Sequence, residues 1–174
     1  MLTKLQSHIL KFDENKKWFQ ELVLTKDNNF LTNPLAKEEW SIKEIIEHVT
    51  IVEERYINFV LAAKDILPQQ NILQSLRRQL VLFVLRNGIK VPVPIPEVVP
   101  TGNIEINQLM QRWDSARNKL KKILEMKQES DLNLFVFKHP IAGNLNMLQS
   151  IEILTWHLHY HMVRANRLIK KINL

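Results

Sequence analysis

Hydrophobic residues along this chain recur mostly three or four positions apart, which is the spacing of one face of an α-helix. The pattern predicts helices over residues 2–25, 73–87, 104–128 and 146–172. Another helix is predicted to begin after Ser41, an N-cap candidate with Glu44 three residues later, and to extend to residue 65. The predicted inner face of that helix consists of Ile42, Ile45, Ile46, Val49, Val52, Tyr56 and Phe59.

Three segments interrupt the helical pattern. Residues 25–39, TKDNNFLTNPLAKEE, are predicted to form a loop because Asn, Asp and Pro break helices. Residues 89–103, IKVPVPIPEVVPTGN, hold four prolines within nine positions and cannot be helix interior. This segment is too apolar for a free linker, so we expect an extended crossover that returns along the helices. Residues 130–146 are predicted to form a long structured loop with a strand-like piece at LFVF.

Four long helices joined by one long crossover predict an all-α fold. The expected architecture is a four-helix bundle, with the short helix at 73–87 and the Pro-rich crossover as additions. A chain of 174 residues has the usual length of one domain, so we expect residues 1–174 to form a single domain.

Composition excludes several classes of function. The absence of cysteine rules out disulfides, thiolate metal sites and a cysteine nucleophile, and it suits a reducing cytoplasm, where we expect the protein. No signal peptide is visible, and no apolar run approaches the roughly 20 residues that span a bilayer, so we expect no membrane partner. The net charge is +6, but basic and acidic residues are interspersed, so we expect no nucleic-acid partner.

Candidate chemistry lies in the last predicted helix, in the stretch TWHLHYHMVRANRLI. His157 and His161 are four positions apart and therefore share a face, which also carries Ile153, Leu154, Ala165 and Leu168. His159 lies about 200° around the helix and should face elsewhere. Burying two imidazoles together is costly unless something satisfies both. A divalent metal does so, because neutral imidazole is its commonest protein ligand.

A third ligand is available in the second helix. His48 borders the inner face of that helix and would complete a three-histidine site if the two helices are neighbours. Three protein ligands with an open position are typical of catalytic metal sites. The alternative is a polar histidine pair satisfied by its surroundings, with His48 at a helix boundary. We interpret Trp156 and Tyr160 as bundle packing or a dimer face. No general base stands out, and the nearby acidic residues are interpreted as surface carboxylates: Glu44, Glu47, Glu53, Glu54 and Glu152.

Three stretches resemble the DinB-like superfamily, the damage-inducible four-helix proteins that include YfiT-type metal-dependent hydrolases and thiol transferases. WSIKEIIEHVTIVEERY resembles the family helix that donates the first histidine. HPIAGNLNMLQSIEILTWHLHYHMVRANRLI is similar to the family's ending, with HP, a glycine and HxxxH at the expected offsets. VPVPIPEVVPTGN resembles its proline-bearing crossover, and the similarity covers essentially the whole chain.

The resemblance implies metal ligands at His48, His157 and His161 and a structural or pocket-lining role for His139. Arg164 and Asn166 stand where the family often has a glutamine. The implied metal is nickel or zinc, with manganese or iron as alternatives. The implied function is transfer of a low-molecular-weight thiol to, or hydrolysis of, a small stress-derived or electrophilic compound, by a homodimer. The alternative is a non-enzymatic metal- or small-molecule-binding stress protein of the same fold.

Overall fold

The order of long helices predicted from the hydrophobic pattern is confirmed. The computed structural model describes residues 2–62, 66–92 and 95–172. These residues form six α-helices and one two-stranded antiparallel sheet, so the all-α class holds with a small hairpin added. The elements are α1 (Leu2–Thr25), α2 (Asn28–Thr32), α3 (Ile42–Ala62), α4 (Ile72–Asn87), α5 (Ile106–Glu125), β1 (Phe135–His139), β2 (Gly143–Asn146) and α6 (Met147–Ile172).

Four of these helices, α1, α3, α5 and α6, form the bundle. α1 packs against α6 and α3 packs against α5, while α3 also faces α6. Each helix contributes apolar side chains at helical spacing to one core, as the hydrophobic pattern requires. The largest fully buried side chains of this core are Phe19, Ile42, Ile46, Tyr56, Ile57, Leu109, Trp113, Leu132, Met147 and Ile151.

Helix ends show where local signals were sufficient. Ser41 and Glu44 form the predicted capping box of α3, because the Ser41 amide donates to the Glu44 carboxylate at 2.8 Å and the Glu44 amide donates back to Ser41 Oγ at 3.2 Å. The predicted extension of α3 to residue 65 lies outside the described residues beyond Ala62. α5 is shorter than predicted, ending at Glu125.

The prediction of a loop over residues 25–39 is partly wrong, because the segment contains the five-residue helix α2. Asp27 caps this helix by accepting a hydrogen bond from the Phe30 amide at 2.8 Å. Leu31 lies on its inner side and is buried in the bundle core. One anchoring leucine and one cap are too few for a recognisable helical period, so sequence spacing did not indicate this helix.

A second apolar cluster joins α4 and the hairpin to α6. Its buried members are Leu82, Leu85, Ala142, Leu145, Ile153 and Tyr160. α4 ends at Gly88, which adopts a left-handed conformation with φ of 64°. The strand-like piece predicted at LFVF corresponds to β1, and the partner strand β2 was not predicted.

Exposed apolar residues are concentrated on α4. Among the described residues of α6, none of the large apolar side chains is exposed. α4 instead exposes Ile72, Leu73, Leu76, Leu80 and Phe83. Phe59 of α3, which was predicted to face inward, is 43% exposed beside them. No described helix has the length and apolarity needed to cross a membrane.

The crossover that follows α4 is fastened to α3 by a buried carboxylate. Glu47 accepts hydrogen bonds from the Thr101 amide at 3.0 Å, the Thr101 hydroxyl at 2.8 Å and the Gly102 amide at 2.8 Å. Its side chain is buried, so the interpretation of Glu47 as a surface carboxylate is wrong. The crossover itself forms a short 3₁₀ turn at Pro96–Val98, and Val98 packs inward.

Two further carboxylates predicted to face water do not. Glu53 is buried and accepts hydrogen bonds from Trp113 Nε1 at 2.6 Å and from Arg117 Nη2 at 2.7 Å. Glu152 is half-buried and pairs with Arg78 at 3.0 Å and with Arg86 at 2.9 Å. These side chains are inward because an oppositely charged partner on another element neutralises each of them.

Candidate metal centre

The three predicted histidines come together between α3 and α6. His48 Nε2 lies 3.2 Å from His157 Nε2, and His161 Nε2 lies 3.2 Å from the same atom. All three nitrogens lie within 4.8 Å of one another. His157 and His161 share a face of α6 through their four-residue spacing, and α3 runs alongside in the opposite direction, as the bond from Tyr56 to Ser150 shows.

The two short separations, which both involve His157, fit ligands of a single ion. Zinc–nitrogen bonds of about 2.0–2.1 Å at tetrahedral angles place neighbouring ligand nitrogens about 3.3 Å apart. The observed 3.2 Å separations match that value. When two neutral imidazoles meet through their Nε2 atoms, one hydrogen bond can satisfy only that pair, and the third ring is left without a partner. A cation accepts the lone pairs of all three rings at once.

The orientation of His48 is set by the crossover. Its Nδ1 lies 2.7 Å from the Val98 carbonyl oxygen, which can only accept, so Nδ1 carries the proton and donates it. The Nε2 lone pair of His48 is therefore free and points to the other two histidines. A backbone carbonyl that fixes the ring of a ligand histidine is a usual partner in metal sites. Glu47 holds this crossover three and four residues further along, at Thr101 and Gly102.

Burial keeps the three imidazoles neutral. His48 is 3% exposed and His161 is 8% exposed. Burial lowers the pKa of His157 and of His161 well below the usual histidine value, and the neighbouring imidazoles lower both further. Burial also lowers the pKa of His48, although its hydrogen bond to Val98 opposes the shift. Neutral rings at neutral pH are the form that binds a metal.

Aromatic side chains enclose the histidines. The Trp40 ring stacks on His161 with centroids 6.0 Å apart and lies 4.9 Å from the ring centroid of His48. Tyr160 meets His161 edge-on at 4.9 Å. Tyr160 is buried in the wall of the site and does not lie on an outer face. Of the two interpretations made from the sequence, packing within the fold therefore holds for Tyr160 and a dimer face does not. The enclosure fixes the ring rotamers and limits access by water.

The histidines open into a large cavity of about 1060 Å³. Its walls come from α3, α4, α6, the hairpin and the crossover, and most of the lining side chains are apolar. A charged cluster lies on one side, where Arg164 donates to both carboxylate oxygens of Glu39 at 2.7 Å and Lys90 donates to one of them at 2.8 Å. Burial raises the pKa of Glu39, but these two cations outweigh it and hold the pKa below its ordinary value.

His139 also lines this cavity, as the family resemblance implied. Its Nδ1 accepts hydrogen bonds from the Ile141 amide at 3.1 Å and the Ala142 amide at 3.0 Å, so the ring proton is on Nε2. Burial lowers the pKa of His139 to about 4, which keeps the ring neutral. The ring can therefore donate a hydrogen bond to a ligand in the cavity.

The remaining histidine of the cluster faces away, as its position on the helix predicted. His159 Nδ1 lies 3.1 Å from Asn15 Oδ1 of α1, and its ring meets Trp156 edge-on. Trp156 packs between Lys11 and Arg86, whose charged groups lie 3.7 and 4.8 Å from its ring centroid. Trp156 thus serves bundle packing in the described part of the chain.

Sequence reasoning missed several residues around the histidines. No contact with the histidines was predicted for Trp40 or Arg164, although both lie in stretches that resemble the family, and no role was predicted for Val98 or Glu39. Trp40 precedes the N-cap of α3, so its closeness to the first ligand is a usable local signal. Glu39 directly precedes Trp40 in the sequence, whereas Val98 and Lys90 come from a distant segment, and no spacing rule connects those two residues to the histidines.

Comparisons with known proteins agree with this architecture. The sequence model of the DinB superfamily matches residues 12–163. YfiT from Bacillus subtilis, described as a probable metal-dependent hydrolase with an unusual four-helix bundle topology, is similar with a TM-score of 0.67 at 10% identity, over 97% of this chain and 87% of that chain. TT2238, a four-helix bundle protein, gives a TM-score of 0.58 at 16% identity, over 93% and 98%. No curated protein matches the sequence significantly.

Proposed function

The chain belongs to the DinB superfamily, and on that premise we propose that it is a divalent-metal-dependent enzyme acting on a small electrophilic or stress-derived compound. The observation that carries the proposal is the convergence of His48, His157 and His161, whose Nε2 atoms lie together at the wall of a large cavity. The rings come from two helices, are neutral, and include one held in the metal-binding tautomer by Val98. A merely structural histidine cluster has no need of a cavity beside it.

The donor set favours zinc or nickel. Three imidazole nitrogens without a carboxylate suit borderline ions, whereas manganese and magnesium prefer oxygen ligands. Among the described residues, the group that could hold an ion contains no Asp or Glu. A divalent ion held by three protein ligands has room for a water or a thiol and lowers the pKa of either one.

The lack of a free carboxylate at the site favours thiol transfer over hydrolysis. In helical HExxH zinc sites a glutamate beside the ligands acts as general base on water. Of the described residues that line this cavity, only Glu38 and Glu39 are carboxylates; Glu38 is exposed to solvent, and Glu39 is tied to Arg164 and Lys90. A thiol bound to a metal needs no such base, because coordination removes its proton.

The chain's own residues would serve the transfer in distinct ways. The neutral His139 can donate its Nε2 proton in a hydrogen bond to negative charge that develops on the electrophile. Trp40 and Tyr160 exclude water from the ligand rings. Hydrolysis is the second candidate, and it is favoured by the description of the similar protein YfiT as a probable metal-dependent hydrolase.

Metal content tests the shared premise. We expect about one ion per chain by elemental analysis after supplementation with zinc, nickel, manganese and iron in turn, with zinc or nickel retained best. His157→Ala should abolish retention. His159→Ala is the matched control, because it removes an imidazole from the same helix that faces Asn15 instead. Equal metal content in the two variants, or no metal in the wild type, would rule out the proposed centre.

Activity then separates the reactions. The metal-loaded protein should conjugate a small thiol to 1-chloro-2,4-dinitrobenzene, forming a thioether and releasing chloride, and His157→Ala should not. Hydrolysis of p-nitrophenyl acetate without thiol would instead support the hydrolase. Stoichiometric metal with neither activity, over a panel of thiols and esters, would favour a non-enzymatic binding protein.

A further inference from the structure

The cavity beside the histidines has two unlike ends. Toward the start of α3 and the end of α6 it is bounded by the charged cluster of Glu39, Lys90 and Arg164. Toward the end of α3 and the start of α6 the walls become apolar. This second part, the apolar arm, is lined by Tyr56, Phe59, Leu80, Phe137, Ile153 and Leu154.

The length of the apolar arm follows from helix geometry. On α6 the lining extends from His157 back to Ser150, and seven residues at 1.5 Å each span about 10 Å. On α3 it extends from His48 to Phe59, and eleven residues span about 16 Å. An extended chain of about eight methylene groups fills the shorter wall, because carbon–carbon bonds of about 1.5 Å in a zigzag advance about 1.25 Å per carbon.

The inner wall of the apolar arm has little to offer a polar ligand. The Tyr56 hydroxyl and Ser150 Oγ already pair with each other at 2.8 Å, and Ser150 also donates to the Met147 carbonyl. Burial raises the pKa of Tyr56 to about 12, so no charge arises there near neutral pH. Among the described residues that line the arm, the charged side chains are those of Arg55 and Lys138, and both are exposed at its outer rim. A polar group placed deep in the arm would lose water without gaining a partner.

The apolar arm also opens onto apolar surface. Leu80 lines the arm and is 60% exposed, and Phe59 lines it and is 43% exposed. A ligand that covers these side chains would remove apolar surface from water, a gain of about fourfold in affinity for each buried methylene group. The same area without a ligand is left in contact with water.

We propose that the substrate is amphipathic, with its reacting polar end at the three histidines and a linear apolar tail of about eight carbons in the apolar arm. The position of the reacting end rests on the proposed function. Binding of the tail does not, since its contacts are with apolar side chains of α3, α4, α6 and the hairpin and not with the histidines, and it should occur with or without metal. The inference therefore has its own test.

A series of straight-chain carboxylates of increasing length measures the length of the apolar arm. Hexanoate, octanoate, decanoate and dodecanoate are titrated calorimetrically into the metal-free and zinc-supplemented full-length protein. We expect affinity to rise about fourfold per methylene up to eight or ten carbons and then to level off as the chain leaves the arm. Affinity that does not depend on chain length, or rises without levelling off, overturns the proposal.

Two variants on α4 separate the arm from simple adsorption to the helix. Leu80 and Leu76 are one turn apart and are 60% and 62% exposed, but only Leu80 lines the cavity. Leu80→Gln should weaken decanoate binding about fivefold, as expected for losing part of a leucine contact. Leu76→Gln should leave it unchanged. Equal effects of the two substitutions, or none from Leu80→Gln, overturn the proposal.

The outcomes distinguish this inference from the proposed function. If binding depends on chain length but the protein retains no metal, the proposed metal-dependent function is wrong and the proposal of an amphipathic ligand stands. Stoichiometric metal without dependence on chain length would leave the metal centre and remove the apolar tail. Zinc should strengthen binding of every carboxylate by the same factor, because the ion contacts only the common head group.

Discussion

Substituting Glu47 by Gln should weaken both the fold and the metal centre, because this carboxylate fastens the crossover that orients His48. The carboxylate accepts three hydrogen bonds, two from Thr101 and one from the Gly102 amide. Burial raises the pKa of Glu47, but these donors outweigh burial and hold it below its ordinary value, so the group is ionised at neutral pH. Glutamine keeps the shape of the side chain but loses its charge. Its NH₂ group would also face a backbone N–H, and two donors cannot form a hydrogen bond with each other.

The expected magnitude follows from those bonds. A hydrogen bond to a charged group contributes about 1.5–3 kcal/mol and a neutral one about 1 kcal/mol. Replacing three of the first kind by two of the second should lower the free energy of unfolding by about 2.5–7 kcal/mol. A looser crossover also frees Nδ1 of His48 from the Val98 carbonyl. Loss of such a partner typically costs 10- to 100-fold in metal affinity, so we expect roughly tenfold weaker zinc binding.

Urea denaturation of the metal-free protein and competitive zinc titration measure the two effects separately. The matched control is Glu54→Gln on the same helix, whose pair with Arg112 is about one-third exposed and should contribute no more than about 1 kcal/mol. That control should leave zinc affinity unchanged. The reasoning is refuted if Glu47→Gln binds zinc as tightly as wild type, or if both variants lose the same stability.

Two other substitutions test the buried charges. Glu53→Ala leaves the Arg117 guanidinium buried without its main partner, and chemical denaturation should show a loss of about 3–5 kcal/mol, whereas a loss below 1 kcal/mol would contradict a buried pair. The pKa of His139 is lowered to about 4 from 6.5, so between these values the unfolded chain binds a proton that the folded ring does not, and stability falls as pH falls. His139→Gln should flatten the stability profile of the metal-free protein between pH 6.5 and 4, by at most about 3 kcal/mol, with the other buried histidines supplying the residual slope.

Local signals were sufficient for most of the helical framework. The positions of α1, α3, α4 and α6 could be predicted because each long helix repeats its apolar face many times, and the period survives an occasional polar insertion. The start of α3 was marked by Ser41 and Glu44, which bond to each other within one turn. The buried apolar side chains of α5 repeat at helical spacing in the same way, from Leu109 to Leu124.

Features that depend on a distant partner were not predicted. Phe59 continues the apolar period of α3, but its ring lines the cavity and is 43% exposed, while its neighbours Ile57 and Val60 pack in the bundle core. Glu53 is read as a surface residue by its charge, and only the presence of Arg117 and Trp113 on α5 makes its burial favourable. Burying an unpaired charge costs much free energy, whereas a paired charge can be buried. The presence of a partner therefore determines whether a charged residue faces the core or the solvent.

The metal centre divides into a part that helix periodicity determines and a part that it does not. His157 and His161 share a face whatever surrounds them, because 3.6 residues per turn brings positions four apart together. His48 reaches them only because α3 and α6 are neighbours running in opposite directions, which no single segment encodes. Its ring is turned by the Val98 carbonyl, fifty residues later, and the crossover that carries this carbonyl is held at Thr101 and Gly102 by Glu47, one position before the ligand. Because the ligand His48 and the buried acid Glu47 are adjacent and both contact the crossover, metal affinity depends on how the crossover packs against α3. A substitution in the crossover should therefore change metal affinity although it replaces no ligand.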